Sequence, residues 1–134
     1  MIKIRNCKRK DIDSIISIYK SNGWWKDCDN KKQLIKLIEN SHCFIVAQDK
    51  GKIIAMGRAI SDKSSDAYIQ DLAVIKEYRN KGIGLKIVKK IIEILKKDKI
   101  NWIGLIAQNN TEKFYEKLGF KIMENSKPMI YGKF

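Results

Sequence analysis

The sequence predicts one α/β domain over residues 1–134, built on a mixed sheet with helices on its faces. Three observations lead there. Segments of period two alternate with segments of helical period, in the order β-α-α-β-β-β-α-β-α-β-β. One helix of that series has a wide apolar face, as a helix lying on a sheet requires. The length of 134 residues is near the commonest size for a single domain with one core.

Each element follows from its own pattern. Ile2 to Arg5 alternates apolar and basic residues and reads as a strand. From Asp11 to Lys20, Ile12, Ile15, Ile16 and Tyr19 recur at helical spacing, and Gly23 ends that helix. Trp24 and Trp25 follow in a loop. Asp29 or Asn30 caps a second helix carrying Leu34, Ile35, Leu37 and Ile38 up to Asn40. Phe44–Ala47 and Ile53–Ile60 form two strands around Asp49-Lys50-Gly51-Lys52, where Lys50-Gly51 supplies the positive backbone angle of a hairpin. The polar stretch Ser61 to Asp66 separates them from a central strand, Ala67–Val74. A loop, Ile75–Gly82, then opens a helix from Ile83 to Lys97. There Ile83, Ile87, Ile91 and Leu95 recur every four residues, flanked by Val88, Ile92 and Ile94. Trp102–Ala107 is a fifth strand, and Thr111–Leu118 a short helix stopped by Gly119. Phe120–Met123 and Met129–Phe134 close the chain as strands around a loop with Pro128.

Composition narrows the function classes. The formal charge of +13 attracts anions, so nucleic acid, acidic membrane and an anionic cofactor all qualify as partners. The lysines are spread along the whole chain, which suits a solvated surface better than a binding block. No helix-turn-helix signature, aromatic single-strand platform or zinc motif points to specific nucleic-acid binding. Apolar runs fall well short of the roughly 20 residues that span a bilayer, and the first residues lack the apolar stretch of a signal peptide. Cys7, Cys28 and Cys43 are odd in number and lack zinc-like spacing. The expectation is a reduced, cytoplasmic protein without a metal or a membrane partner.

The segment Tyr68 to Gly84 is the most informative. A buried strand runs into a loop bearing basic residues and two glycines, and the loop opens a long helix. Glycine lets a ligand approach the backbone closely, and successive N–H groups at a helix start point at an anion. Arg79, Lys81 and Lys86 add positive charge. A Rossmann fingerprint would need a third glycine where Ile87 stands, and a Walker loop would need Lys then Ser or Thr after its last glycine. Neither is present.

Arg79-Asn80-Lys81-Gly82-Ile83-Gly84 resembles the Arg/Gln-x-x-Gly-x-Gly/Ala loop of the GNAT N-acetyltransferase superfamily. About thirty residues downstream, Phe114-Tyr115-Glu116-Lys117-Leu118-Gly119-Phe120 is similar to that family's Tyr-Glu-Lys-x-Gly-Phe segment. The element order agrees along the whole chain. The resemblance implies a mixed, mostly antiparallel sheet of about six to seven strands flanked by about four helices. It implies acetyl-coenzyme A as co-substrate and a primary amine, on a small molecule or a peptide, as acceptor. Arg79, Asn80, Lys81, Gly82, Ile83 and Gly84 would hold the pyrophosphate. Leu72, Ala73 and Val74, which follow Asp71 in the strand, would bond the pantetheine arm, with Asn109, Asn110 and Phe114 beside it. A coenzyme A sensor without turnover is the alternative within the same fold, and a homodimer is left open as an assembly.

The chemistry of amide formation adds roles. An alkylamine with a reference pKa of ~10.4 must lose a proton, and the departing thiolate must gain one. Tyr115 sits where the family places its proton-donating tyrosine; the other reading is a packing aromatic beside Phe114. Asp71, a carboxylate in an apolar strand, is the candidate base, against a purely structural acceptor there, the rivals Tyr68, Asp66 and Glu77, or ordered water. Asn109 and Asn110 either contact the pantetheine or cap the helix at Thr111. The resemblance implies that the loop holding Trp24 and Trp25 walls the acceptor pocket, where two tryptophans suit an apolar or cationic substrate; in the other reading one anchors the loop and the other covers the core. His42 reads as structural and Cys43 as inert core.

Overall fold

The apolar run Cys43–Ala47 is buried at every position, the mark of a strand covered on both faces. The computed structural model describes residues 1–132 and explains this with a central sheet. Its strands are β1 (Lys3–Asn6), β2 (Cys43–Asp49), β3 (Lys52–Ser61), β4 (Asp66–Val74) and β5 (Trp102–Gly104), in spatial order β1-β2-β3-β4-β5. The pairs β1–β2, β2–β3 and β3–β4 are antiparallel, and β4–β5 is parallel. The helices are α1 (Ile12–Ser21), α2 (Lys31–Asn40), α3 (Ile83–Lys97) and α4 (Glu112–Glu116).

Alternation along the strands divides the core in two. Ile45, Ala47, Ile54, Ala67 and Ile69 pack with the α3 stripe of Ile83, Ile87, Val88, Ile91 and Leu95. Phe44, Val46, Met56 and Ala73 pack with Ile12, Ile15, Ile16 and Tyr19 of α1 and Leu34 of α2. Asn30, rather than Asp29, caps α2: its side chain accepts from the Gln33 N–H at 2.9 Å, and the Gln33 carbonyl oxygen accepts from the Asn30 N–H at 3.3 Å. Lys50 and Gly51, at φ 50° and 79°, turn the β2–β3 hairpin as expected.

Two differences from the sequence reading matter. The sheet has five strands among the described residues instead of six to seven, because β5 stops at Gly104 and neither Phe120–Met123 nor 129–132 forms a strand. Residues 133 and 134 of the expected last strand lie outside the described residues. A strand needs a partner edge, and the outer edge of β5 is only three residues long, Trp102 to Gly104. Ile122, Met123, Met129, Ile130 and Tyr131 consequently stand exposed. The second difference is a bulge in β4. Met56 pairs with Ala73 and Arg58 with Gln70, so Asp71 and Leu72 together oppose Gly57.

Candidate functional site

The site begins where β4 outruns β5. Their pairing ends at Tyr68–Gly104, and the stretch Ile69–Val74 continues with β3 on one side and, among the described residues, no strand on the other. Backbone groups along that edge are therefore open to a ligand. Beyond Val74 the chain makes a single 3-10 turn, Lys76–Tyr78, and returns on itself. The Arg79 side chain folds back and donates from Nε to the Val74 carbonyl at 2.9 Å.

Asn80 and Gly82, at φ 63° and 79°, steer the loop into α3. The first N–H to find a backbone partner there is that of Lys86, which donates to the Gly82 carbonyl at 3.2 Å. From Asn80 to Leu85 no backbone N–H has an acceptor among the described residues, and no side chain caps α3. The row of free N–H groups stands at the positive end of a 15-residue helix, an arrangement that attracts anions. A Cβ on Gly82 would meet no atom within 4 Å, so the space in front of the row is open.

The loop is braced from two sides. Tyr78 donates its hydroxyl to Asp49 Oδ2 at 2.7 Å, linking it to the β2–β3 hairpin. This bond holds the Asp49 carboxyl below its ordinary range and the Tyr78 phenol above its own. Lys81 lies over the Tyr78 ring, 5.4 Å from its centroid. On the other side Phe114 of α4 reaches Gly84, where a Cβ would stand 3.1 Å from the Phe114 ring and 3.7 Å from Val74. Gly84 thus lets α4 lie against the start of α3. Tyr115 is half-buried next to Phe114, their rings at 5.0 Å edge to face, with Phe120 at 5.8 Å. Burial pushes the Tyr115 phenol above its ordinary value, so it stays protonated well past neutrality.

Asp71 occupies the bulge with φ 58°, a left-handed angle that Asp tolerates better than most residues. The bulge changes the phase of the strand. Ala67, Ile69, Leu72 and Val74 pack on the α3 side, whereas Asp71 and Ala73 turn toward α1. There Asp71 Oδ2 accepts from Arg58 Nε at 2.7 Å and from the Tyr19 hydroxyl at 2.8 Å. Arg58 also donates to Gln70 at 3.1 Å. Burial, and then the adjacent Asp71 charge, raises the Tyr19 phenol far above its usual value. Oδ1 of Asp71 receives no hydrogen bond among the described residues. Sequence reasoning missed Arg58 and Tyr19. Arg58 did carry a signal, as a guanidinium inside the apolar strand Ile53–Ile60, but Tyr19 looked like any other core position of α1.

The Tyr19 ring also touches both loop tryptophans, with centroids 6.2 Å from Trp24 and 6.4 Å from Trp25. These three rings with Asp29, Asn30, Gln33, Leu34 and Leu37 line a pocket of about 120 Å³ between α1 and α2. Other candidates fall elsewhere. Asn109 and Asn110 adopt left-handed angles of 56° and 60°, and neither caps α4, whose cap position is Thr111. His42 bridges Ser61 at 2.7 Å and Asp98 at 2.8 Å, beside a separate groove. Burial raises the Cys43 thiol to about 11, in keeping with an inert core position. Asp66 and Glu77 are exposed; Tyr68 leans on Trp102, centroids 5.6 Å apart. Among the described residues no cluster of His, Cys, Asp and Glu suits a metal, and no helix is long and apolar enough to cross a membrane.

An open strand edge thus leads to an uncapped helix start in an α/β protein, and the Asp71 carboxylate lies on the α1 side of the sheet. Comparison with known proteins makes the class specific. Residues 10–120 match the model of the acetyltransferase (GNAT) family. An uncharacterized N-acetyltransferase of Chlorobaculum tepidum is 30% identical over 124 residues, covering 90% of this chain and 76% of that one. The chloroplastic GCN5-related N-acetyltransferase 2 of Arabidopsis thaliana is 38% identical over 74 residues, 55% of this chain but only 29% of the relative's length. Among solved structures, a probable acetyltransferase of Staphylococcus aureus superposes with a TM-score of 0.83 at 25% identity, over 100% of both chains. The chain belongs to the GNAT family of acetyltransferases.

Proposed function

We propose that this protein transfers the acetyl group of acetyl-coenzyme A to a primary amine by direct attack in a ternary complex. The observation that carries the reading is the row of unsatisfied N–H groups from Asn80 to Leu85 at the end of the open β4 edge. A pyrophosphate satisfies that row, and an extended pantetheine amide chain lies along Leu72, Ala73 and Val74 as an added strand would. Arg79, Lys81 and Phe114 flank this path.

In the reaction the amine nitrogen forms a bond to the thioester carbonyl carbon, the C–S bond breaks, and its electron pair leaves on sulfur. Tyr115, held protonated by burial, supplies a proton to that sulfur. Asp71 offers its Oδ1 to the amine, either directly or through water, while Arg58 and Tyr19 fix the other oxygen and so orient the carboxylate. The test is release of coenzyme A thiol from acetyl-coenzyme A across a panel of amines. Tyr115→Phe should lower kcat by roughly 10²–10⁴-fold while the affinity for coenzyme A changes little. Equal turnover by mutant and wild type would remove Tyr115 from the mechanism. Binding of coenzyme A without thiol release from any amine would replace the enzyme by a sensor.

A further inference from the structure

We infer that the acceptor is a diamine, whose second ammonium group docks in the pocket between α1 and α2. This rests on the acetyl-transfer reading above and narrows it to a substrate class. Tyr19 connects the two ends of the site: its hydroxyl bonds Asp71, and its ring forms a wall of the pocket with Trp24 and Trp25. Tyr19 meets Trp24 at 64° and Trp25 at 47° instead of stacking on them, so ring faces remain uncovered in each pair. Ring faces attract an ammonium group within about 6 Å, tryptophan most strongly.

The pocket also holds Asp29. Its Oδ2 accepts the Lys26 backbone N–H at 2.6 Å, and it joins no ion pair among the described residues. On a chain of net charge +13, a carboxylate without an ion pair among the described residues, lining one pocket with three aromatic rings, is a local preference that the bulk charge opposes. An uncharged apolar tail would fill the same space but strip water from Asp29 Oδ1, which accepts no hydrogen bond among the described residues, and this is unfavourable. A second ammonium gives that carboxylate its counter-ion. At about 120 Å³ the pocket admits an ammonium group with a short methylene arm rather than a fused ring system. The first amine, at the Asp71 end of Tyr19, is the one acetylated: its nitrogen takes the acetyl carbon, and its proton leaves to Asp71 or water.

The experiment measures initial rates of thiol release with acetyl-coenzyme A and three acceptors: 1,4-diaminobutane, butylamine and phenethylamine. The diamine should exceed butylamine in kcat/KM by about 10- to 100-fold, as expected for one desolvated cation–π and ion-pair contact. Asp29→Asn keeps an oxygen for the Lys26 N–H and should shrink that ratio at least tenfold. Trp24→Leu, at a partly exposed position, should shrink it independently. Retention of the coenzyme A-induced rise in Tm shows that each variant is folded. Equal kcat/KM for diamine and butylamine overturns the inference, as does a ratio that survives both substitutions. Phenethylamine outperforming both would overturn it in favour of an apolar slot. No thiol release with any of the three overturns the diamine inference alone; the acetyl-transfer reading falls only when the wider panel of small and peptide amines also gives none.

Discussion

Two glycines of this chain offer a controlled test of the phosphate loop. Gly82 and Gly51 share the same φ of 79°, and a Cβ on either meets no atom within 4 Å. Aspartate at each position therefore carries the same backbone penalty, about 1 kcal/mol for a left-handed residue, and no clash. For a chain of this size 1 kcal/mol moves Tm by roughly 3–6 °C, so Gly51→Asp and Gly82→Asp should both melt a few degrees low. They differ in position, since Gly51 turns the β2–β3 hairpin and Gly82 stands within the free N–H row at the start of α3. Coenzyme A at a hundred times its Kd stabilises a folded protein by about 2.7 kcal/mol, or roughly 10 °C here. Wild type and Gly51→Asp should show that rise by differential scanning fluorimetry. Gly82→Asp should show almost none, because its carboxylate occupies the place of the pyrophosphate. A full ligand-induced rise in Gly82→Asp would refute the loop as the phosphate site.

Gly57 faces the bulge, and a methyl group there would stand 2.8 Å from Ile87 Cγ2 and 3.3 Å from Leu72 and Ile91. Gly57→Ala should lose roughly 1–3 kcal/mol in urea denaturation, and an unchanged midpoint would show that α3 yields freely. The Tyr19 and Tyr115 phenols are both raised in the folded chain. The unfolded chain, with phenols near pKa ~10, releases those protons first, so this stabilisation is whole below about pH 10 and is lost as pH climbs above it. Tm should then fall over that range and fall less steeply in Tyr19→Phe; equal slopes would contradict the assignment.

What the sequence determined by itself is what depends on local pattern. The stripe of Ile83, Ile87, Ile91 and Leu95 specifies a helix over 83–97 because burial of one face needs only the 3.6-residue period, and the helix has those bounds. The loop from Arg79 to Gly84 was legible for the same reason, since a strand, a glycine turn and a helix start are consecutive in the chain. Tertiary structure decided the rest. Alternation along Ala67–Val74 assigns every second residue to one face, but the bulge opposite Gly57 shifts that phase and turns Asp71 toward Tyr19 and Arg58. Tyr19 and Arg58 lie 52 and 13 positions from Asp71 in sequence, so no local period relates the three. The closing strands illustrate the converse. Phe120–Met123 and 129–132 have the apolar content of strands, yet a strand is defined by the edge it pairs with, and β5 ends at Gly104.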